Sequence, residues 1–223
     1  MTMLRLLTLS TLTLLLCFPA TGNAEPKRYI FDKAHTAILF FVNHLGFSDT
    51  VGRFTDYDGF FIFDEETPEN SLVEVKLRPA GIRTPSPELD VELQNDKWFH
   101  TEKFPEILFK STKVVRTGRN TADVIGWVTM LDQTQPVTLH VTFNKSGVHP
   151  INNKRVAGFS ANTEINRSHF GMINYVPMIG EKVRLVIETE GFEEAADTTL
   201  PEEAVPPADS ESKTGEESNP EES

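Results

Sequence analysis

The sequence predicts an all-β fold of short antiparallel strands, and three observations carry that reading. Apolar residues recur with period two from Tyr29 to Phe192, the spacing of side chains on one face of a strand. Turn-forming clusters such as Thr67-Pro68-Glu69-Asn70, Thr117-Gly118-Arg119-Asn120 and Asn144-Lys145-Ser146-Gly147 separate the alternating runs. Only one stretch, near the middle of the chain, breaks the period with a helix-start signature.

Taken in order, Thr36, Ile38, Phe40, Val42 and His44 share one strand face, while Leu39 and Phe41 make the opposite face apolar as well. Phe61 and Phe63 form the next pair. Val73, Val75 and Leu77 then alternate with Glu74, Lys76 and Arg78, the pattern of a half-buried strand. Ser86-Pro87-Glu88 combines an N-cap, a proline at the first helical position and an acid in the first turn, and Leu89 and Leu93 fall on one helix face. Asn95-Asp96 opens a second short turn carrying Trp98 and Phe99, which Pro105 ends. Alternation resumes with Ile107/Phe109, Val124/Val128/Met130, Val137/Leu139/Val141/Phe143, Phe159/Ala161/Thr163/Ile165 and Val183/Leu185/Ile187, for about eight strands. Periodicity alone leaves a filled sandwich and a closed barrel equally open. The 16 Phe against 3 Tyr and 2 Trp suit a dry barrel lining, and they suit any β core too.

The 223 residues suffice for one domain with extensions. The first 24 read as a cleavable secretory signal: Arg5 supplies the positive start, Leu6 to Phe18 the apolar run and Gly22-Asn23-Ala24 the small residues of a cleavage site. A lipoprotein signal on Cys17, where Leu16 stands in place of the small residue wanted, and an uncleaved anchor are the weaker alternatives. Cleavage after Ala24 removes the single cysteine, leaving no disulfide or thiol chemistry and a periplasmic location as the expectation. Residues 25–192 are the expected barrel. Residues 193–223 hold eleven acidic residues against Lys213 alone, a net −10 of the chain's −12, with no aromatics, and are expected to be a disordered acidic tail. That charge excludes a nucleic-acid binder, which needs clustered Lys and Arg.

An ordered set of motifs resembles the YceI-like family of exported lipocalin-like proteins. It begins with Asp32-Lys33-Ala34-His35-Thr36 leading into Ile38-x-Phe40-x-Val42-x-His44, then Gly52-Arg53-Phe54, Gly59, Asp90-x-x-Leu93 and Trp98-Phe99. Phe104-Pro105-Glu106-Ile107-x-Phe109, Gly126-x-Val128-Thr129, Thr134-x-Pro136-Val137, Gly158-Phe159-x-Ala161, Ile165-Asn166-Arg167-Ser168-x-Phe170-Gly171-Met172 and Gly180-Glu181-x-Val183 complete it. The chain departs from the family pattern at Glu92 (commonly His), His169 (commonly acidic), Asp132 (commonly Gly) and in its acidic tail. The resemblance implies an eight-stranded antiparallel barrel with one or two short inserted helices, around an apolar tunnel. It also implies a ligand such as a polyisoprenoid, an isoprenoid quinone or a fatty-acid-like lipid.

On that reading the lipid-binding residues are Phe40, Val42, His44, Phe54, Phe61, Trp98, Phe99, Phe109, Leu139, Phe159 and Phe170, each of which could equally be ordinary core. Arg167 is the sharpest head-group candidate, since a guanidinium can hold a phosphate or carboxylate bidentately; Asp32 and His35 follow. His35 and His44 have opposite strand parity and face opposite sides unless a bulge intervenes. The six histidines show no short metal-ligand spacing, and there is no Gly-x-Ser-x-Gly elbow, His-Glu-x-x-His or phosphate loop. No cofactor, metal or catalytic residue is therefore assigned. An enzyme acting on a lipid-linked substrate, an interaction protein whose acidic tail meets a cationic partner, and a homodimer remain compatible with the sequence. Because the tail has no apolar periodicity, truncation after Phe192 is expected to leave the melting temperature within about 2 °C, checked by calorimetry.

Overall fold

In the computed structural model, which describes residues 25–195, the chain is a closed antiparallel barrel. Residues 1–24 and 196–223, on which the signal-segment and most of the tail readings fall, lie outside the described residues. The strands are β1 (Lys27–Phe31), β2 (Ala37–His44), β3 (Ser48–Phe54), β4 (Tyr57–Phe63), β5 (Leu72–Leu77), β6 (Ile82–Arg83), β7 (Ile107–Arg116), β8 (Thr121–Met130), β9 (Gln133–Val148), β10 (Arg155–Asn166) and β11 (Ile179–Glu193). Eleven segments make eight staves, because three staves are broken. β1 and β2 both pair with β11, through Phe31↔Gly191 and Ala37↔Glu188. β3 and β4 pair with β2 and β1 respectively, and β5 and β6 with β4 and β3. From there the order runs β5, β7, β8, β9, β10, β11, and β11 returns to β1.

The breaks at 32–36, 55–56 and 78–81 lie side by side. At the third, Pro79 opens a 3₁₀ turn that no strand continues through. Across them Arg78 N–H donates to the Asp56 carbonyl at 2.9 Å and Thr55 N–H to the Gly81 carbonyl at 3.1 Å, so the backbone stays satisfied. Outside, Lys33 pairs with Asp58 at 2.7 Å, and Arg78 with both Asp58 at 2.6 Å and Asp56 at 2.8 Å. These ion pairs are solvent-exposed and fix geometry more than they stabilise. The breaks explain why the alternation of 27–31, 48–54 and 82–83 is too short to read from the sequence.

The inward faces follow the predicted parity. Val73, Val75 and Leu77 line the interior, while outward Glu74 pairs with Lys110 at 2.6 Å and Lys76 with Glu106 at 3.0 Å. The helix α1 (Pro87–Glu92) starts as expected, with Ser86 Oγ accepting from Leu89 N–H at 3.3 Å. Asn95–His100 forms turns in place of a second helix, Asn95 Oδ1 accepting from Lys97 N–H at 2.9 Å. Asn144–Gly147 is not a turn. β9 runs through it, and the register shift opposite Gly158/Phe159 leaves Asn144 as the extra residue of a bulge. The turn lies beyond it, at 149–154. Asp132, where the family pattern commonly has Gly, has φ +58°, a left-handed conformation that Asp tolerates better than most residues.

β11 also passes the expected boundary: Glu193 pairs with Tyr29 across the seam and with Arg155 at 3.0 Å, and Glu194 pairs with Arg28 at 2.6 Å. A cut that spares these contacts therefore falls after Glu194, not after Phe192. Among the described residues no helix is long and apolar enough to cross a membrane.

Glycine admits the interior rings. A Cβ on Gly52 would fall 2.1 Å from the Phe40 ring, on Gly191 2.5 Å from the Phe61 ring, and on Gly126 2.8 Å from the Phe109 ring and 2.4 Å from the Lys110 carbonyl. Because that carbonyl belongs to the neighbouring stave, Gly126→Ala should cost about 1–3 kcal/mol in denaturant unfolding, as overpacking does.

Candidate binding cavity

The interior of the barrel is not filled. A cavity of about 510 Å³ occupies it, within the range of roughly 300–1,000 Å³ common for small-molecule sites. Strand parity supplies its walls: Ile38, Phe40 and Val42 from β2, Phe61 and Phe63 from β4, Phe109 and, past the register shift at 111–113, Val114 from β7, Leu139, Val141 and Phe143 from β9, Phe159 from β10 and Val183, Leu185, Ile187 and Thr189 from β11. Around its lower half six rings interlock. Tyr29 stacks on Phe61 at 5.0 Å, Phe31 meets Phe61 at 5.6 Å, and Phe159 stands edge-on to Phe61 and Phe63 at 5.4 and 5.0 Å with Phe143 beside it at 5.6 Å. The exceptions to this apolar lining along the walls are few. Thr36 and Thr189 hydroxyls meet at 2.9 Å, and Tyr57 donates to the Thr36 carbonyl at 3.1 Å.

The two ends differ. One is covered by the α1 insert and the loop after β10, where Leu93, Trp98, Phe170 and Met172 form a buried cluster with Ile82. At the other, the cavity reaches the loop residues Glu65, Pro68 and Ser71, the turn residues Arg119 and Asn120, and the strand ends Arg116 and Thr121 that flank that turn. This end is the mouth.

Most of the sequence-derived lining residues face this cavity: Phe40, Val42, Phe54, Phe61, Trp98, Phe99, Phe109, Leu139 and Phe159. Two do not. Phe170, 1% exposed, packs in the cap cluster outside the main cavity, because the chain leaves β10 in a 3₁₀ turn over Arg167–Phe170 that ends the strand parity. His44 is exposed at the far end of β2, past the last residue of that strand to touch the cavity, Val42. Phe31, Tyr57, Phe63, Val114 and Phe143 also line the cavity and were not singled out; Phe63 and Phe143 continue the parity of Phe61 and Leu139 and were legible in it.

Arg167 borders the closed end, but its guanidinium is committed elsewhere. Nε donates to the Gly180 carbonyl at 2.8 Å, Nη1 to Met172 at 2.6 Å, and Nη2 to Asn174 at 2.8 Å and Ile179 at 3.0 Å. A guanidinium has five N–H groups, so the bidentate head-group clamp expected of it is not available. The side chain instead ties the loop after β10 to the start of β11, with Trp98 5.4 Å away on its face. Burial pushes its pKa down from the ordinary value, and the nearby Glu181 opposes that.

Asp32 and His35 do not line the cavity either. They sit at the first stave break, where Asp32 Oδ2 meets His35 Nδ1 at 2.6 Å and Oδ1 accepts from Ala34 N–H at 2.9 Å. Partial burial works against the Asp32 charge, but the bonds from His35 and Ala34 outweigh it and hold its pKa below the usual carboxylate value. The same hydrogen bond, accepted by the Asp32 carboxylate, raises that of exposed His35. Glu190 joins them, so that three ligand atoms lie within 4.8 Å of one another. Such a set could hold a divalent cation on the barrel's outer wall, and the sequence hides it because Glu190 comes from the opposite end of the barrel segment.

The YceI-like domain model matches residues 29–191, nearly the whole described chain. The chain belongs to the YceI-like domain family. A UPF0312 protein of Pseudomonas putida strain GB-1 is 38% identical over 155 residues, covering 69% of this chain and 80% of that one. One from Pseudomonas fluorescens strain Pf-5 is 36% identical over 179 residues, covering 77% and 90%. Among solved structures, Burkholderia cenocepacia BcnA superposes with TM-score 0.65 at 18% identity, covering 72% of this chain and 98% of its own. A Campylobacter jejuni YceI protein superposes with TM-score 0.63 at 22% identity, covering 84% and 100%. A polyisoprenoid-binding domain from Saccharophagus degradans gives 0.56 at 8%, covering 76% and 100%. At these identities the structures share the fold of this YceI-like domain, the closed eight-stranded barrel.

Arg167→Met keeps the volume and strips four carbonyls of their donor inside the YceI-like domain. Breaking such a buried charged network should cost about 3–5 kcal/mol, a drop in melting temperature on the order of 10 °C, read in thermal melts of the ligand-free protein.

Proposed function

We propose that the protein is an exported carrier that holds a polyisoprenoid, isoprenoid quinone or fatty-acid-like chain in the barrel and performs no chemistry on it. The observation that carries the reading is the unfilled lumen of about 510 Å³, walled by aliphatic and Phe side chains and open at one end. Each CH₂ moved there from water gains about 0.8 kcal/mol, against the cost of ordering the chain. A solved structural neighbour described as a polyisoprenoid-binding domain supports a prenyl ligand. The proposed compartment is the periplasm, with residues 1–24 as a cleavable signal; this rests on Arg5, the run Leu6 to Phe18 and Gly22-Asn23-Ala24. An enzyme on a lipid-linked substrate would need its acid or base inside the lumen, and Asp32 and His35, the titratable head-group candidates, pair with each other away from the cavity lining.

The test is bulk in the lumen. Phe159→Trp enlarges a ring that lines the cavity among Phe61, Phe63 and Phe143. In a carrier it should displace ligand, seen as loss of lipid by mass spectrometry of protein purified from its own cells, with the delipidated protein melting as the parent does. A full lipid load together with early melting would mean a filled core and overturn the carrier reading.

A further inference from the structure

Resting on the carrier reading, we propose that the mouth of the cavity is an oxyanion site in which Arg119, with Arg116 beside it, holds the carboxylate or phosphate head of the bound chain. The lipid then lies with its tail toward Trp98 and Met172 and its head between the 64–71 loop and the 117–120 turn.

The argument begins with strand parity. Val114 is buried inside the barrel, and Arg116, two residues on, continues the same face onto the rim. Arg116 Nε donates to the Gly118 carbonyl at 2.9 Å and its Nη2 to the Arg119 carbonyl at 3.1 Å. These two bonds fold the turn back on its own strand and carry Arg119 and Asn120 to the cavity's edge, where both line it. Neither arginine forms an ion pair among the described residues.

Across the mouth, the carboxylates of Asp64 and Glu65 are already engaged. Asp64 accepts from Thr67 N–H at 2.7 Å, Glu66 N–H at 3.1 Å and Asn70 Nδ2 at 3.0 Å, and Glu65 accepts from Ser146 Oγ at 2.5 Å. Two cationic forks thus face the opening with one carboxylate, Glu65, on the same lining.

A charged head has no comparable place deeper in. The lumen walls offer the Thr36–Thr189 hydroxyl pair and little else polar, and burying a charge without a partner is costly. At the closed end the Arg167 guanidinium serves four carbonyls. At the mouth an acidic head keeps contact with water and gains a fork that matches its oxygens.

The experiment uses the full chain, delipidated, with oleate and oleyl alcohol as probes that share one hydrocarbon chain and differ in head group. Binding is followed by calorimetry at low and high salt. The parent protein should bind both, oleate more tightly. Arg119→Gln should lower the ratio of oleate to alcohol affinity about tenfold, Arg119→Lys should restore part of it, and high salt should shrink the parent's ratio toward that of the variant. No hydrogen bond of the turn uses the Arg119 side chain, so the variant keeps the turn; thermal melts matching the parent verify this. An unchanged ratio in both Arg119→Gln and the Arg116→Gln/Arg119→Gln double variant overturns the inference and leaves the carrier reading standing. Failure of the parent to bind either probe overturns both.

Discussion

The barrel depends on β11 pairing on both edges, with β10 along one and with β1 and β2 along the other. A sheet wrapped around a cavity has few side-chain contacts across its middle, so it cannot rely on a packed centre as a sandwich does. It must satisfy its backbone around a complete circuit and leave no open edge. The first stave meets that demand by breaking: the loop Asp32–Thr36 lets β1 and β2 change direction while both remain on β11. The two staves after it break at matching heights, because a bend in one stave of a hydrogen-bonded sheet must be accommodated by its neighbours.

The empty lumen follows from how the rings are seated. Phe40 and Phe109 lie over Gly52 and Gly126 on the neighbouring staves, and Phe61 reaches across β1 to lie over Gly191 on β11. The cap at the other end is a conventional core, with Leu93, Trp98, Phe170 and Met172 in contact and Arg167 stitched into the backbone beneath them. Stability is therefore concentrated at the closed end and along the seam, and the mouth half is free to carry residues chosen for a ligand.

Period two made the walls legible: Phe40, Phe61, Leu139 and Phe159 could be assigned to one face because a strand gives each residue only two choices. The same rule fails where the chain stops being a strand. Phe170 falls outside the lining because parity does not extend into the 3₁₀ turn that begins at Arg167, and the Asn144–Gly147 cluster reads as a turn in the sequence because a bulge and a turn favour the same residue types. The barrel itself, against a sandwich, came from the motif resemblance, since closure is decided by pairing between distant segments that one sequence does not display. The commitment of Arg167 to the Gly180, Met172, Asn174 and Ile179 carbonyls was invisible for another reason. Its partners are backbone atoms of a loop, and no residue type announces them.

The described chain enters at Glu25 and leaves at Ala195, and both points lie at the mouth end, where β1 begins beside the end of β11. A group attached directly at Glu25 or Ala195 starts beside the opening. A fluorescent label, an affinity handle or a surface linker placed there would crowd the doorway, whereas the hairpin at Leu45–Phe47 and the turn at Leu131–Asp132 lie at the capped end and leave it clear. Anyone immobilising this barrel to watch a guest come and go should hold it by those loops.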